Sequence, residues 1–463
     1  MNRYSNPTLQ VVVLAAGQGK RMRSVKPKVL HDVLGKSILE HVLLSVEALA
    51  PQGICLVLGH GSSQVKSEIE KTHACSWVIQ KEQLGTGHAV QHAEQACSQA
   101  EDVLIVCGDT PLLQTDTLAF LLEQHRKTAS DISFLSAKLS EPTGYGRVQR
   151  NQQGAVQCII EERDANDAEK LIQEVSTGIF CVKQKVLFKL LAQVDNQNNQ
   201  EEYYLPDIVP LALNENMSVH AFIMQNSDDM QGVNNRSQLR HVTEIMQQRV
   251  IQGWEAEGVS VEQATTVRID VSVKLGADCT VRAGTQILGN SHIGDNCELG
   301  PYAVIKNSWL DDDVKVEAFS HLETAHVGAS SQVGPYARLR PQAELDEGVK
   351  IGNFVEVKKS VIGKNSKVNH LSYIGDTTMG ESCNVGAGTI TCNYDGANKH
   401  QTVIDDRVFV GSDTKLIAPV HVEEGATIGA GSVITKTVRR NGLTLSVRPE
   451  QRHVKDWKRP QKS

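Results

Sequence analysis

A strand-like run, Val11-Val12-Val13-Leu14, empties into Ala15-Ala16-Gly17-Gln18-Gly19 and then meets Arg21, Lys26 and Lys28. Two glycines so placed allow a tight turn and close backbone approach, so amide N–H groups can face phosphate oxygens beside the cations. The turn is not a dinucleotide fingerprint, because Met22 stands at the third glycine position, and it lacks the Gly-Lys-Ser/Thr of a Walker loop. A second apolar run, Val103-Leu104-Ile105-Val106, ends in Cys107-Gly108-Asp109. A carboxylate at the carboxyl end of a buried strand can hold Mg2+ against phosphates; it can also simply cap the next helix. Far along the chain His370 lies close to Tyr373, with Arg340 and Lys358 upstream. Histidine titrates near pH 6.5, so neutral imidazole is available as a base. A lone histidine, however, is more often a packed or surface residue.

Two kinds of element must position these residues. From about Leu9 to Val233, short apolar runs (Ile54–Leu58 is another) alternate with helix-like segments at Ile38–Ala50 and His88–Gln99. That alternation predicts an α/β, Rossmann-like domain whose mostly parallel sheet gathers ligands at strand carboxyl ends. Arg236–Trp254 follows, with Leu239, Val242, Ile245, Met246 and Val250 at helical spacing. A helix there would span about 28 Å, as an arm between domains, a last core helix of the first, or both. Beyond it an aliphatic residue recurs every six positions. Leu275, Val281, Ile287, Ile293, Leu299 and Ile305 form one run; Val327, Val333, Leu339, Leu345, Ile351 and Val357 form a second; Val410, Leu416, Val422, Ile428 and Ile434 form a third. Neither helix nor strand has that period, but a solenoid of stacked short units does. The expected domains are 1–235, a helical linker 236–254, and 255–463. The period fails between Thr391 and Val410, around the turn signal Asp395-Gly396, which is where a solenoid's binding loop is expected.

Composition narrows the function classes. With 463 residues, 40% hydrophobic and 22% charged, the chain reads as a multidomain globular protein. A net charge of −7 argues against nucleic acid as the main partner, and the basic stretch Arg448–Lys462 reads as a solvated tail. Ten scattered cysteines without C-x-x-C spacing read as reduced thiols. The apolar run near the N-terminus is too short for a signal peptide or a membrane span, so the cytoplasm is the expected location.

The stretch Leu14–Leu30 resembles the signature of sugar-phosphate nucleotidyltransferases, with Leu14, Ala15, Ala16, Gly17, Arg21, Pro27 and Lys28 in the family's places. The aliphatic-Gly unit (Ile293-Gly294, Val333-Gly334, Ile351-Gly352) resembles the hexapeptide repeat of the left-handed parallel β-helix. Together, domain order included, nearly the whole chain resembles the bifunctional N-acetylglucosamine-1-phosphate uridyltransferase/glucosamine-1-phosphate acetyltransferase family. The resemblance implies acetylation of glucosamine-1-phosphate by acetyl-CoA, then uridylyl transfer from UTP with release of pyrophosphate. The product would feed bacterial cell-wall and lipopolysaccharide synthesis.

Residue by residue, it implies that Leu14–Gly17, Lys28, Gln80, Gly85, Thr86, Gly108, Asp109, Gly146, Glu161, Ser176 and Asn234 contact UTP or the nucleotide sugar. Asp109 and Asn234 would hold Mg2+, and Arg21 and Lys28 would act on the phosphates. Arg340, Lys358, Tyr373, Asn384 and Lys399 would bind glucosamine-1-phosphate. Ala387, Asn393, Tyr394, Ser412, Ala430 and Arg448 would bind acetyl-CoA, with His370 as the catalytic base. It also implies a homotrimer with acetyl sites between neighbours. Two positions depart from the family pattern: Ser176 replaces the usual asparagine, and the family's arginine aligns with Val447, one residue before Arg448. Two rivals remain at this point. One is a nucleotidyltransferase whose β-helix only oligomerises; the other is a non-catalytic scaffold, which would need a damaged Arg21, Lys28 or Asp109.

Overall fold

The computed structural model describes residues 6–447, 451 and 453–458, and the chain divides into two compact units between Met246 and Gln247. In the first unit the runs of Val, Leu and Ile become strands β1 (Asn6–Ala15), β2 (Pro51–Leu58), β3 (Ser76–Ile79), β4 (Asp102–Cys107), β5 (Ile132–Lys138), β6 (Arg147–Arg150), β7 (Val156–Ile160), β8 (Glu174–Lys183) and β9 (Val219–Ile223). The sheet runs β9-β5-β8-β4-β1-β2-β3. The four strands β4, β1, β2 and β3 are mutually parallel, so their carboxyl ends lie together. β8 enters antiparallel to both β4 and β5, and β6 and β7 form an antiparallel pair beside it.

Helix Ile38–Glu47 begins with a capping box, in which Ser37 Oγ accepts from the Glu40 amide and Glu40 accepts from the Ser37 amide. It stops short of the expected Ala50, which lies in the left-handed region ahead of Pro51. The single helix expected over 88–99 is two, Thr86–Gln91 and Glu94–Cys97. The interruption is Ala93, whose backbone (φ −89°, ψ 2°) leaves the helical region.

Helix Arg236–Ala256 contributes to both cores. Val242 is buried with Met22, Val33, Ile38 and Leu112, whereas Ile251 is buried among the aliphatics of the second unit.

Every aliphatic of the three hexad runs is buried in one continuous core. Strands of two to four residues stack into three parallel sheets of 11, 10 and 9 strands, each strand pairing with the one a full coil away. The result is a three-walled parallel β-helix. Coils are 18 residues where Thr280 pairs with Glu298, and 17 where Val304 pairs with His321. The runs therefore do not end at Ile305 and Val357. They slip one residue at a corner and continue through Leu310, Val316 and Leu322, and through Ile362, Val368 and Ile374, all buried. Stacking predicts a cost for any gap: Ile351→Ala should lose about 2–5 kcal/mol, read by equilibrium denaturation. A loss below about 1 kcal/mol would contradict a closely packed interior.

Candidate active sites

The carboxyl ends of β1, β3 and β4 open onto a cleft of about 250 Å³. Its lining includes Leu14, Ala15, Ala16, Gly17, Lys28, Gln80, Gly85, Thr86 and Asp109, so most of the residues expected at a nucleotide site converge. Gly19 makes the turn possible: its φ is +61°, and a Cβ there would stand 2.7 Å from Lys28 Cβ. Gln80 is buried, and its Nε2 donates to the Gly85 carbonyl at 3.0 Å. Thr86 Oγ1 accepts from the Leu205 amide at 2.9 Å, which ties the loop to the Glu202–Asp207 segment.

At the back of the cleft the Lys28 ammonium donates to Asp109 Oδ2 at 2.5 Å and to Asn234 Oδ1 at 3.1 Å. The side chain of Lys28 is only 9% exposed. Two oxygens that converge on one cation form a donor set that fits Mg2+, which takes one or two protein oxygens beside substrate phosphates. Among the described residues no cluster of three or more His, Cys, Asp or Glu side chains could hold a metal alone. An ion here would complete its shell with neutral oxygens, substrate phosphates or water. Gly108 joins β4 to β1, its amide donating to the Leu14 carbonyl. Arg21 lies on the single turn Lys20–Met22, exposed and without an ion-pair partner among the described residues, outside the cleft lining.

Gly146, Glu161 and Ser176 form a second group. Ser176 donates its amide to the Gly146 carbonyl at 2.8 Å, and Glu161 packs against Gly146. Burial, reinforced by Asp207, Asp164 and Glu202, pushes the Glu161 carboxyl up to about 7. A carboxyl raised in the folded state binds its proton more tightly there, so its contribution to stability falls as pH rises from about 4.5 to 7. Glu161→Gln should therefore raise Tm more at pH 8 than at pH 5. An equal effect at both would mean that this carboxyl titrates normally.

Sequence reading missed Val29, Gln83, Ala89 and Cys107 in the cleft lining. Burial and then Asp109 push the Cys107 thiol up to about 12, which favours its protonated form.

In the β-helix, one corner carries a column of residues spaced by coil. Asn353 pairs in register with His370. The Gly388 amide donates to the His370 carbonyl at 3.3 Å, the Asp413 amide to Ala387 at 2.7 Å, and the Gly431 amide to Ser412 at 2.7 Å. His370, Ala387, Ser412 and Ala430 thus follow one another along a single edge, with His370 exposed. Glycines allow the coils to close there: a Cβ on Gly386 would lie 2.5 Å from the Ser412 nitrogen, and one on Gly411 2.5 Å from the Ala430 nitrogen.

Lys358 and Tyr373 belong to the adjacent wall, and Arg340 directly follows that wall's strand Arg338–Leu339. Arg340 is paired with Glu356 at 2.8 Å. Lys399, from the loop that interrupts the hexads, approaches Lys358 closely enough to lower its pKa, with Arg340 adding to the effect. Three cations crowded together make a site for a doubly charged anion. Asn393 in the same loop donates to Asp376, and Tyr394 is exposed. Asn384 lies on the first wall, paired with Lys367 at the strand's start, and is not gathered with Arg340, Lys358 and Tyr373. Arg448 lies outside the described residues; Val447 is exposed. All ten cysteines are unpaired, and no described helix is long and apolar enough to cross a membrane.

Comparison with known proteins assigns both units. The MobA-like NTP transferase domain matches residues 11–175, and the bacterial transferase hexapeptide (six repeats) matches 272–307 and 401–436. The bifunctional protein GlmU of Marinobacter nauticus is 45% identical over 455 residues, covering 98% of this chain and 99% of its own. That of Syntrophomonas wolfei is 44% identical over 446 residues, covering 96% and 99%. A crystal structure of UDP-glucose pyrophosphorylase complexed with UDP-glucose superimposes with a TM-score of 0.43 at 13% identity, over 52% of this chain and 98% of its own.

Proposed function

Because this chain belongs to the family of bifunctional GlmU proteins, we propose a division of labour between its two units that assigns each step to named residues. The chain is a bifunctional transferase of UDP-N-acetylglucosamine synthesis, an acetyltransferase on a left-handed parallel β-helix and a uridyltransferase on the Rossmann-like unit.

In the acetyl step, Arg340, Lys358 and Lys399 hold the phosphate of glucosamine-1-phosphate, with Tyr373 and Asn384 about the sugar. His370 takes the proton as the amine attacks the thioester carbonyl, and the CoA sulfur leaves. Ala387, Ser412 and Ala430 line the edge above that base, and Asn393 and Tyr394 flank the coenzyme, with Arg448 beyond. The observation that carries this reading is the column itself: a base and three small-residue positions share one edge beside a trio of cations. A β-helix that served only to oligomerise would need none of these.

In the uridylyl step, a phosphate oxygen of N-acetylglucosamine-1-phosphate attacks the α-phosphate of UTP and pyrophosphate leaves. Leu14–Gly17 cradle the phosphates, and Gln80, Gly85 and Thr86 read the base. Gly108 brings β4 against β1, while Gly146, Glu161 and Ser176 face the sugar. Asp109 and Asn234 hold Mg2+, which supplies charge neutralisation on the phosphates. Lys28 and Arg21 stabilise negative charge on the transferring and leaving groups.

Asn384 lies on a different wall from the other sugar-phosphate residues, which supports an acetyl site completed between copies of the chain. We assign the assembly as a homotrimer built through the β-helix, and its location as cytoplasmic. The test is two assays of the purified protein. Glucosamine-1-phosphate with acetyl-CoA should release thiol, and N-acetylglucosamine-1-phosphate with UTP and Mg2+ should release pyrophosphate. Pyrophosphate without thiol would reduce the β-helix to an oligomerising element.

A further inference from the structure

We propose that Asn353 is a positioning residue for acetyl transfer, fixing both the ring orientation and the tautomer of His370. The inference rests on the reading of His370 as the base. Asn353 closes the strand Lys350–Asn353, one coil before His370, and the two residues are partners in the parallel register. Its Oδ1 lies 2.8 Å from His370 Nδ1. A carboxamide oxygen can only accept, so the neutral ring must carry its hydrogen on Nδ1. That leaves the Nε2 lone pair free, and the nitrogen that receives a proton is set by the bond the other nitrogen makes.

The backbone of the histidine is held as firmly as its ring. The Leu371 amide donates to the Asn353 carbonyl at 3.1 Å, and the His370 carbonyl accepts from Ser372 Oγ at 2.8 Å and from the Gly388 amide at 3.3 Å. The imidazole therefore stands at a fixed height on the edge that Ala387, Ser412 and Ala430 continue. A neutral amide suits this task. A carboxylate in the same place would orient the ring equally well but would favour the imidazolium, the form that cannot accept a proton.

The test uses the full-length protein and follows acetyl transfer to glucosamine-1-phosphate. Asn353→Ala should lower kcat by roughly 10- to 100-fold, with KM for both substrates and the rate of pyrophosphate release little changed. Asn353→Asp should recover much of the rate at high pH, with the acid limb of the kcat profile displaced upward. Nitrogen-15 shifts of the His370 ring should report the Nδ1–H form in the natural protein and its loss in the alanine variant. An alanine variant with unchanged kcat, or with an unchanged tautomer, would overturn the proposal. So would a rate loss in both variants that follows a fall in Tm, since that would mark Asn353 as merely structural. His370→Ala separates the two readings. If that variant still acetylates, the base assignment fails whatever Asn353 does; if it is inactive while Asn353→Ala is normal, only the positioning role fails.

Discussion

His370→Ala should abolish thiol release from acetyl-CoA, by roughly 100- to 10,000-fold as expected for loss of a general base, while pyrophosphate release continues at its normal rate. The selectivity follows from where the residue sits. His370 is exposed at the end of its strand and makes its side-chain hydrogen bond to Asn353 within the β-helix, so its removal leaves no buried cavity. The neighbouring core residues Val368 and Ile374 are fully buried and remain in place. The variant should therefore fold, and its defect should lie in kcat rather than in KM for glucosamine-1-phosphate, whose phosphate we assign to the cations Arg340, Lys358 and Lys399. Loss of both activities would show that the residue supports the fold rather than the chemistry.

Asp109→Ala should do the reverse. Uridylyl transfer should fall at least about 100-fold, and the Mg2+ concentration needed for the residual rate should rise. Asp109 lies two residues beyond the end of β4, lines the cleft and shares the Lys28 ammonium with Asn234. Without the carboxylate the nearly buried ammonium keeps only a neutral amide oxygen, so both the proposed metal oxygen and the placement of Lys28 would be lost. Asp109→Asn separates these effects, because it keeps the shape and an oxygen while removing the charge; it should bind Mg2+ weakly yet lose less stability than the alanine variant. Acetyl transfer should be unaffected in either. Unchanged uridylyl transfer in Asp109→Ala would remove this residue from the metal site.

How much of this is legible in the sequence depends on how far apart the interacting residues lie. Continuous runs such as Val11–Leu14 are apolar because both faces of a central parallel strand are covered, so β1, β2 and β4 can be read directly. The six-residue period is equally plain, because each wall of a coil buries one aliphatic. The one-residue corner slips after Ile305 are hidden in sequence, since they move the period without changing any residue type. The antiparallel entry of β8 between β4 and β5 is hidden too, because nothing local specifies a partner so distant in the chain. The same holds for the sites. The Gly17–Gly19 turn announces itself, but the bond from Lys28 to Asn234 spans 206 positions. Asn353 could have been found by counting 17 positions back from His370, one coil, had coil length been known.

A mixing experiment reads most directly whether one polypeptide carries two independent sites. His370→Ala and Asp109→Ala proteins are each supplied with glucosamine-1-phosphate, acetyl-CoA, UTP and Mg2+, singly and together, and UDP-N-acetylglucosamine is measured. Neither variant alone should form it, and the mixture should, because the acetylated sugar phosphate made by one protein is the substrate of the other. A mixture that stays inactive although each variant retains its own half-reaction, or either variant completing the conversion alone, would contradict the assignment.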